Sequence, residues 1–502
     1  MADGRRAQPC ADLGVVERLA AALRSAGFTT TGIEDHLGAE VGAALTGGVS
    51  WPAVAVVGDD SPLSTLIAVL LLGHARPVDR LAAALPGVEV AELVEQGIVE
   101  LVDDQVIPLL DVRPYADDAG EYYVFADQDS GRRSGALAED HVLGIGGASI
   151  SLARAVIRRP FPRALDLGTG CGVQALHLGA HCSDVVGTDT NERALCLAAA
   201  TARASGQSWD LRRGSLFEPI AGETFDLIVS NPPFVVSGGD QDYIYRDSGM
   251  PADALCARLI AELPDHLNPG GMATVLANWV VTDRDDWPAR PREWLAGTGL
   301  DAWVVQRELA DPISYVSLWL ADAGESPERS AARGRKWLDY FERAGIVAIG
   351  MGVLTLRRPF DPTAGPRFQI VEEITGAGEE VTGDEALAFF DRQDFLADHS
   401  DEELLDLRLA TAPVILDEQS MLGESGWQTI GSVIRRPGGP GAALVVDEVS
   451  RALVAGCRGQ VPLADLVALL AAHHGVDADA LARAAMPVVR EAIARGILFA
   501  AV

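Results

Sequence analysis

Three short stretches within residues 163–236 carry residue types that can act on one ligand. Asp166-Leu-Gly168-Thr169-Gly170-Cys-Gly172 is a glycine-rich turn. Asp189-Thr190-Asn191 is an acidic corner about 20 residues further on, and Asn231-Pro232-Pro233-Phe234 is a turn poor in donors. Glycines let backbone approach a ligand without Cβ clashes, and a helical run, VQALHLGAH, starts directly after them. A GxGxG turn by itself often only packs a strand on a helix, but a carboxylate at the distance of Asp189 suits the diol of a ribose. No further glycine motif points to a pyrophosphate, so the pair fits a cationic, phosphate-free nucleoside with Asp166 beside it. In the third stretch both prolines lack an N–H and fix φ, which turns carbonyls toward the cleft. The side-chain oxygen of Asn231 and the carbonyl of Pro232 can accept both hydrogens of a substrate NH2. Phe234 offers a face for a planar group. The plainer alternative has Pro-Pro ending a strand and Phe234 in the core.

Something must bring these stretches together. Each follows a short apolar run (RALDL, DVVGT, FDLIVS) that reads as a buried parallel strand. All three therefore belong at the carboxyl edge of one α/β sheet.

Over residues 142–279 the chain resembles the class I S-adenosylmethionine-dependent methyltransferases that modify amide or exocyclic amino nitrogens. Within them it is most similar to the small-domain branch of release-factor glutamine N5-methyltransferases and ribosomal RNA guanine N2-methyltransferases. The resemblance implies a Rossmann-like, seven-stranded methyltransferase sheet and S-adenosyl-L-methionine as cofactor. It assigns Asp166, Gly168, Thr169, Gly170 and Gly172 to the methionine part of the cofactor, and Asp189 to the ribose hydroxyls, with Thr190 and Asn191 beside it. Ser215 falls near the adenine amine, Leu216 flanks the ring, and Asn231 touches both cofactor and acceptor. Asn231, Pro232, Pro233 and Phe234 form the reaction motif, with Phe234 where many relatives have Tyr. The upstream segment HVLGIGGAS (141–149) departs from the motif of the glutamine enzymes, which leaves the acceptor open.

The chain has 502 residues and a formal charge of −32, a length that fits about three domains. We expect boundaries at 1–130 (winged-helix-like), 131–375 (methyltransferase) and 376–502 (winged-helix-like), the flanking pieces being mainly α. The acidic balance argues against a general nucleic-acid binder, because phosphate contacts need clustered cations. Arg158, Arg159, Arg163, Arg212 and Arg213 could still make a local basic patch; Lys336 is the single lysine. The six cysteines lack CxxC spacing and suit a reduced cytosol. The first nine residues are polar, unlike a signal peptide. The apolar run at 66–72 is far below the ~18 residues of a membrane span. A cytoplasmic protein is expected.

Upstream, helices and a ribbon turning at Asp103-Asp104 make a winged-helix pattern whose acidic helix (Glu89, Glu92, Glu95) is unsuited to DNA. Docking, lid and scaffold roles stay open for it. A polar connector from Tyr115 carries Tyr122, Tyr123 and Phe125 in a short strand. Beyond the reaction motif, Tyr243, Tyr245 and Arg246 are candidates for closing over substrate or for ordinary loop anchoring, and Trp279 falls on the cleft side of the sheet, though a tryptophan there is more commonly core. DAWVVQREL, SYVSLWLA and VAIGMGVLTLRRP read as closing strands. The segment VDRLAAALPGVEVAELVEQGIVEL echoes LADLVALLAAHHGVDADALARAAMPVVREAIARGILFA near the C-terminus. His473-His474 precede a glycine and read as a helix end rather than metal ligands. Three functions remain: an N-methyltransferase for a protein, peptide or small-molecule acceptor, an RNA or DNA base (adenine N6 or guanine N2) methyltransferase, or a non-catalytic cofactor-binding protein.

Overall fold

The computed structural model describes residues 8–59, 61–129, 137–239, 244–322, 326–374, 379–424 and 426–501. A central sheet is built from β1 (Phe161–Leu167), β2 (Cys182–Asp189), β3 (Asp210–Arg213), β4 (Phe225–Ser230), β5 (Leu267–Val281), β6 (Asp301–Ala310), β7 (Ala348–Arg357) and β8 (Gln369–Glu373). Their order is β8-β6-β7-β5-β4-β1-β2-β3. β5, β4, β1, β2 and β3 run parallel, and β7 lies antiparallel to both of its neighbours. The order reverses beside β1, so the carboxyl ends of β1 and β4 open a crevice there. The sheet has eight strands rather than the expected seven: β8 pairs in parallel with β6, Val304 opposite Val371. This short, half-buried edge strand (QIVEE) has too little apolar periodicity to read as a strand.

Helices cover the sheet: α1 (Gly147–Ala155), α2 (Val173–Leu178), α3 (Glu192–Ala204), α4 (Ala254–His266), α5 (Ala289–Leu295), α6 (Pro312–Asp322), α7 (Pro327–Ala344) and α8 (Gly383–Asp398). The segment SYVSLWLA, expected as a strand, lies inside α6. Asp311 caps that helix by accepting the N–H groups of Ile313 and Ser314 at 2.9 and 3.0 Å, and Pro312 takes the first helical position. Trp279 does not face the cleft. It is fully buried in β5 beside Trp287 and Trp294, lying over Gly350 and Gly352 of β7. A Cβ at either glycine would come within 2.2 or 2.7 Å of the indole.

The segment 115–135, expected as a polar connector with a short strand, forms the tip and second strand of a hairpin, Leu110–Asp117 with Gly120–Asp127, and its residues from 130 on lie outside the described residues. Tyr122, Tyr123 and Phe125 sit in its second strand and are buried. The hairpin docks on α3, where the N–H of Phe125 donates to Thr201 Oγ1 at 3.1 Å, and on α2, where His177 lies between Asp117 (2.8 Å) and the Tyr115 hydroxyl (2.9 Å). Arg193 grips Asp127 with contacts of 2.6, 3.0 and 3.2 Å. Burial alone would raise the Asp127 pKa, but the guanidinium beside it holds the carboxyl below its ordinary range. Breaking a buried, fully hydrogen-bonded pair on one side strands the other charge. Arg193→Ala is expected to cost about 3–5 kcal/mol of stability in chemical denaturation; a loss below about 1 kcal/mol would show that the pair carries no such weight.

Ahead of this hairpin, the helices Val78–Ala84 and Val90–Glu95 lead to the ribbon Val99–Val102 and Gln105–Pro108, turning at Asp103 (φ +54°). Helix, helix and ribbon follow one another in the order expected from the sequence. The C-terminal echo also appears: Leu463–His474, Ala478–Ala494, then Leu498–Ala500 paired with Leu409–Thr411. Gly475 (φ +66°) closes the helix after His474. An exposed hairpin, Ile415–Gly423 with Gly426–Arg435, was not expected in this mainly helical piece. α8 is fixed to the sheet by Phe389 stacked on Trp303 at 4.3 Å and by Arg357, which bridges Asp301 and Asp394. No described helix is long and apolar enough to cross a membrane.

Candidate functional site

A cavity of about 690 Å³ opens at the carboxyl ends of β1, β2 and β4. Gly168, Thr169 and Gly170 line it from the turn after β1, Asp189, Thr190 and Asn191 from β2, Ser215 and Leu216 from beyond β3, and Asn231 to Phe234 from beyond β4. The turn that follows each strand therefore delivers one of the stretches singled out above. Ser230 ties two of these strand ends together by donating to the Leu167 carbonyl at 2.8 Å.

Asp189 accepts the N–H of Gly170 at 2.9 Å and that of Asn191 at 2.8 Å, so it pins the glycine turn to the start of α3. Burial raises its pKa, and these N–H groups pull it back down. Each carboxylate oxygen keeps a lone pair for a further donor. Leu216 is held at φ +47°, a conformation unusual for a branched side chain, at the rim of the cavity.

Two of the expected ligand contacts lie outside the cavity wall. Asp166 is fully buried beneath the turn, where one carboxylate oxygen accepts from Thr169 Oγ1 (2.7 Å) and the Ala175 N–H (2.9 Å). Its other oxygen has no partner. Gly172 heads α2 at φ +89°, where a Cβ would come within 2.5 Å of the Trp209 ring, so it serves packing. The sequence places both in the motif, but whether a motif residue faces ligand or core depends on the turn's three-dimensional path.

Burial pushes Asp166 up to about 7, against the pull of Thr169 and Ala175. A carboxyl raised in the folded state contributes stability below its unfolded pKa of about 4 and loses it as pH rises through about 7. Asp166→Asn cannot ionise and should lose less stability than the wild type between about pH 5 and pH 8, followed as thermal midpoints. Parallel curves would mean that Asp166 does not titrate in that window.

Asn231 is half-buried, and its side-chain oxygen is enclosed with no hydrogen-bond partner. Phe234 lines the cavity and meets Trp319 of α6 edge to face, with ring centroids 6.1 Å apart. Tyr245 and Arg246 also line it, whereas Tyr243 lies outside the described residues. Arg246 is 2% exposed, donates to the Trp319 carbonyl at 2.7 Å and lies 3.4 Å from Asp247. It is an anchor built into the wall. Sequence reasoning missed Trp319, and Asp311-Pro312, a helix-start pair, was the signal that could have found it.

The five arginines of the possible basic patch do not line the cavity. Arg163 pairs with Asp184 and Glu223, Arg212 with Asp210 and Glu223, and Arg213 with Glu192, while Arg158 lies 3.9 Å from Asp117. Arg159 covers the Phe161 ring. Among the described lining residues, Arg246 is the one arginine or lysine.

Residues 145–284 match the family model described as methyltransferase small domain. Residues 25–109 and 387–500 match two models described only as domains of unknown function, DUF7059 and DUF7782. A release factor glutamine methyltransferase of Xylella fastidiosa is 35% identical over 160 residues, covering 29% of this chain and 56% of the relative. A ribosomal protein uL3 glutamine methyltransferase of Xanthomonas campestris is 35% identical over 129 residues, 23% of this chain and 41% of the relative. A ribosomal RNA small subunit methyltransferase C of Alcanivorax borkumensis is 32% identical over 116 residues, 23% of this chain and 32% of the relative. The chain thus spans about half or less of the length of these relatives. The three stretches at the crevice beside the sheet's reversal point all fall within the residues that match the methyltransferase small domain model.

Proposed function

We propose that this chain is an S-adenosyl-L-methionine-dependent N-methyltransferase acting on a planar amide or amino nitrogen of a protein, peptide or small molecule. The observation that carries the reading is the enclosed, partnerless oxygen of Asn231 on a loop lining the same cavity as the glycine turn and Asp189. A buried acceptor left unpaired costs free energy unless a donor arrives, and a substrate NH2 is such a donor.

The residues fit the cofactor. Asp189 has lone pairs for two ribose hydroxyls, Gly168 and Gly170 bring backbone to the ligand without Cβ atoms, and Leu216 offers an apolar flank. Thr169, Thr190, Asn191 and Ser215 complete this half of the wall. Asp166 and Gly172 support the turn from behind. Bound there, S-adenosyl-L-methionine supplies a methyl group on a sulfonium.

An amide or base nitrogen is a poor nucleophile because its lone pair is delocalised. Asn231 Oδ1 and the Pro232 carbonyl, by accepting both N–H hydrogens, favour a pyramidal nitrogen with its lone pair directed at the electrophile. Pro233 keeps that corner rigid, and Phe234 holds the planar group by its face. Positioning supplies most of the remaining acceleration; the C–S bond breaks as the N–C bond forms, S-adenosyl-L-homocysteine leaves, and the methylated nitrogen sheds one proton to water, with no general base assigned.

The charge pattern favours a protein, peptide or small-molecule acceptor. Nucleic-acid acceptors need cations for phosphates, and here Arg158, Arg163, Arg212, Arg213 and Arg246 each lie within 4.0 Å of a carboxylate. Two of the relatives are named for protein glutamine and one for ribosomal RNA, so base methylation is the second reading. The flanking pieces, residues 1–130 and 376–502, would present the acceptor or brace the site.

Transfer of labelled methyl groups into cell extract, with and without ribonuclease, deoxyribonuclease or protease, tests this directly. Label that survives nuclease and is released by protease, or runs with small molecules, is expected. Label lost to nuclease would move the acceptor to nucleic acid, and cofactor binding with no transfer would make the chain a binding protein.

A further inference from the structure

α6 and α7 lie between β6 and β7, beyond residue 284, where the methyltransferase match ends. α6 nevertheless reaches the reaction motif. Tyr315 is fully buried, and its hydroxyl accepts the N–H of Val236 at 2.9 Å and Asn278 Nδ2 at 2.9 Å. One helical turn later, on the same face, Trp319 lines the cavity and inclines its ring at 65–66° to Tyr315 and Phe234. Its backbone carbonyl takes Arg246, whose own carbonyl takes the Val235 N–H at 3.2 Å.

We infer that α6 is the acceptor-side wall of the site, with Tyr315 as a positioning residue for the Asn-Pro-Pro-Phe corner and Trp319 as the residue that decides which acceptor enters. The inference rests on the methyl-transfer reading above. The corner itself is short of internal support, because Pro232 and Pro233 have no N–H to tether it. The first N–H groups beyond Phe234, those of Val235 and Val236, are both claimed by partners on or fixed to α6. A small shift of Val236 is transmitted to Phe234, two residues before it, and along the proline corner to Asn231, five residues before it. Phe234 and Trp319 meet as a corner rather than a stack, so a planar group lying on Phe234 has the indole as its side wall.

The test uses the full chain with labelled S-adenosyl-L-methionine and two small planar probes at high concentration, N-acetylglutaminamide and guanosine. Wild-type protein is expected to methylate at least one of them and to prefer it over the other. Trp319→Ala should raise the KM of the preferred probe on the order of tenfold and narrow the preference, as loss of an aromatic anchor at a binding surface does, while Trp319→Phe restores most of both. Tyr315→Phe should lower kcat about tenfold with KM little changed, the signature of misplacement rather than lost binding. S-adenosyl-L-homocysteine affinity, measured by calorimetry, should stay within about twofold in every variant, and thus reports folding as well. Unchanged KM and preference in Trp319→Ala, or unchanged kcat in Tyr315→Phe, overturns the assignment. Cofactor binding by the wild type with transfer to neither probe also overturns it, whereas absence of cofactor binding defeats the methyl-transfer reading instead.

Discussion

Replacing Asn231 with alanine should lower turnover by on the order of 10²-fold or more while leaving cofactor affinity close to that of the wild type. The size follows from what the side chain does in the transition state. As the acceptor nitrogen becomes pyramidal and gains positive charge, its N–H groups become better donors, and the two carbonyl oxygens of the corner strengthen their hold as the barrier is climbed. Removing one preorganised partner from an enclosed site resembles removing an oxyanion-hole donor, with the sign of charge reversed. The enclosure of Asn231 Oδ1 matters here, because a group already paired with protein would have to break that bond first. Asn231→Asp keeps an acceptor oxygen and should fall between the two. Turnover of Asn231→Ala equal to wild type would remove Asn231 from the mechanism.

The second large effect belongs to Asp189→Ala, in binding rather than turnover. The carboxylate fixes the Gly170 and Asn191 N–H groups. On the proposed reading, its loss deletes the partner of the ribose diol and also frees the turn expected to carry the rest of the cofactor. A charge-assisted hydrogen bond contributes about 1.5–3 kcal/mol, so a loss of at least 10-fold to 100-fold in affinity for S-adenosyl-L-homocysteine is expected by calorimetry. Asp189→Asn retains an acceptor for the backbone and should lose less. Undiminished affinity would put the ribose elsewhere.

The three chemical stretches were legible because each is local: a strand end followed at once by turn chemistry that few other arrangements explain. Glycine at 168 and 170 permits the positive φ these turns adopt, proline at 232 and 233 fixes φ by its ring, and the sheet then brings their turns together. What was not legible depended on partners distant in sequence. SYVSLWLA alternates well enough to pass for a strand, but Tyr315, Val316, Trp319 and Leu320 form a helical stripe once Asp311 and Pro312 start the helix. Trp279 closes a strand that ends near the cleft, yet Gly350 and Gly352 opposite it supply the space that takes the indole into the core. The polar run from Tyr115 folds as a hairpin because α3 offers Thr201 and Arg193 to its backbone and its last aspartate. Asp166 reads as a ligand contact from its place in the motif, but its carboxylate turns inward to hold Thr169 and Ala175.

The most direct measurement is a crystal structure of the full chain with S-adenosyl-L-homocysteine. The ribose hydroxyls are expected on the Asp189 carboxylate, the adenine beside Ser215 and Leu216, and the sulfur turned toward the Asn231-Pro232 corner. A ligand seated with its sulfur away from that corner, or bound outside this cavity, would contradict it.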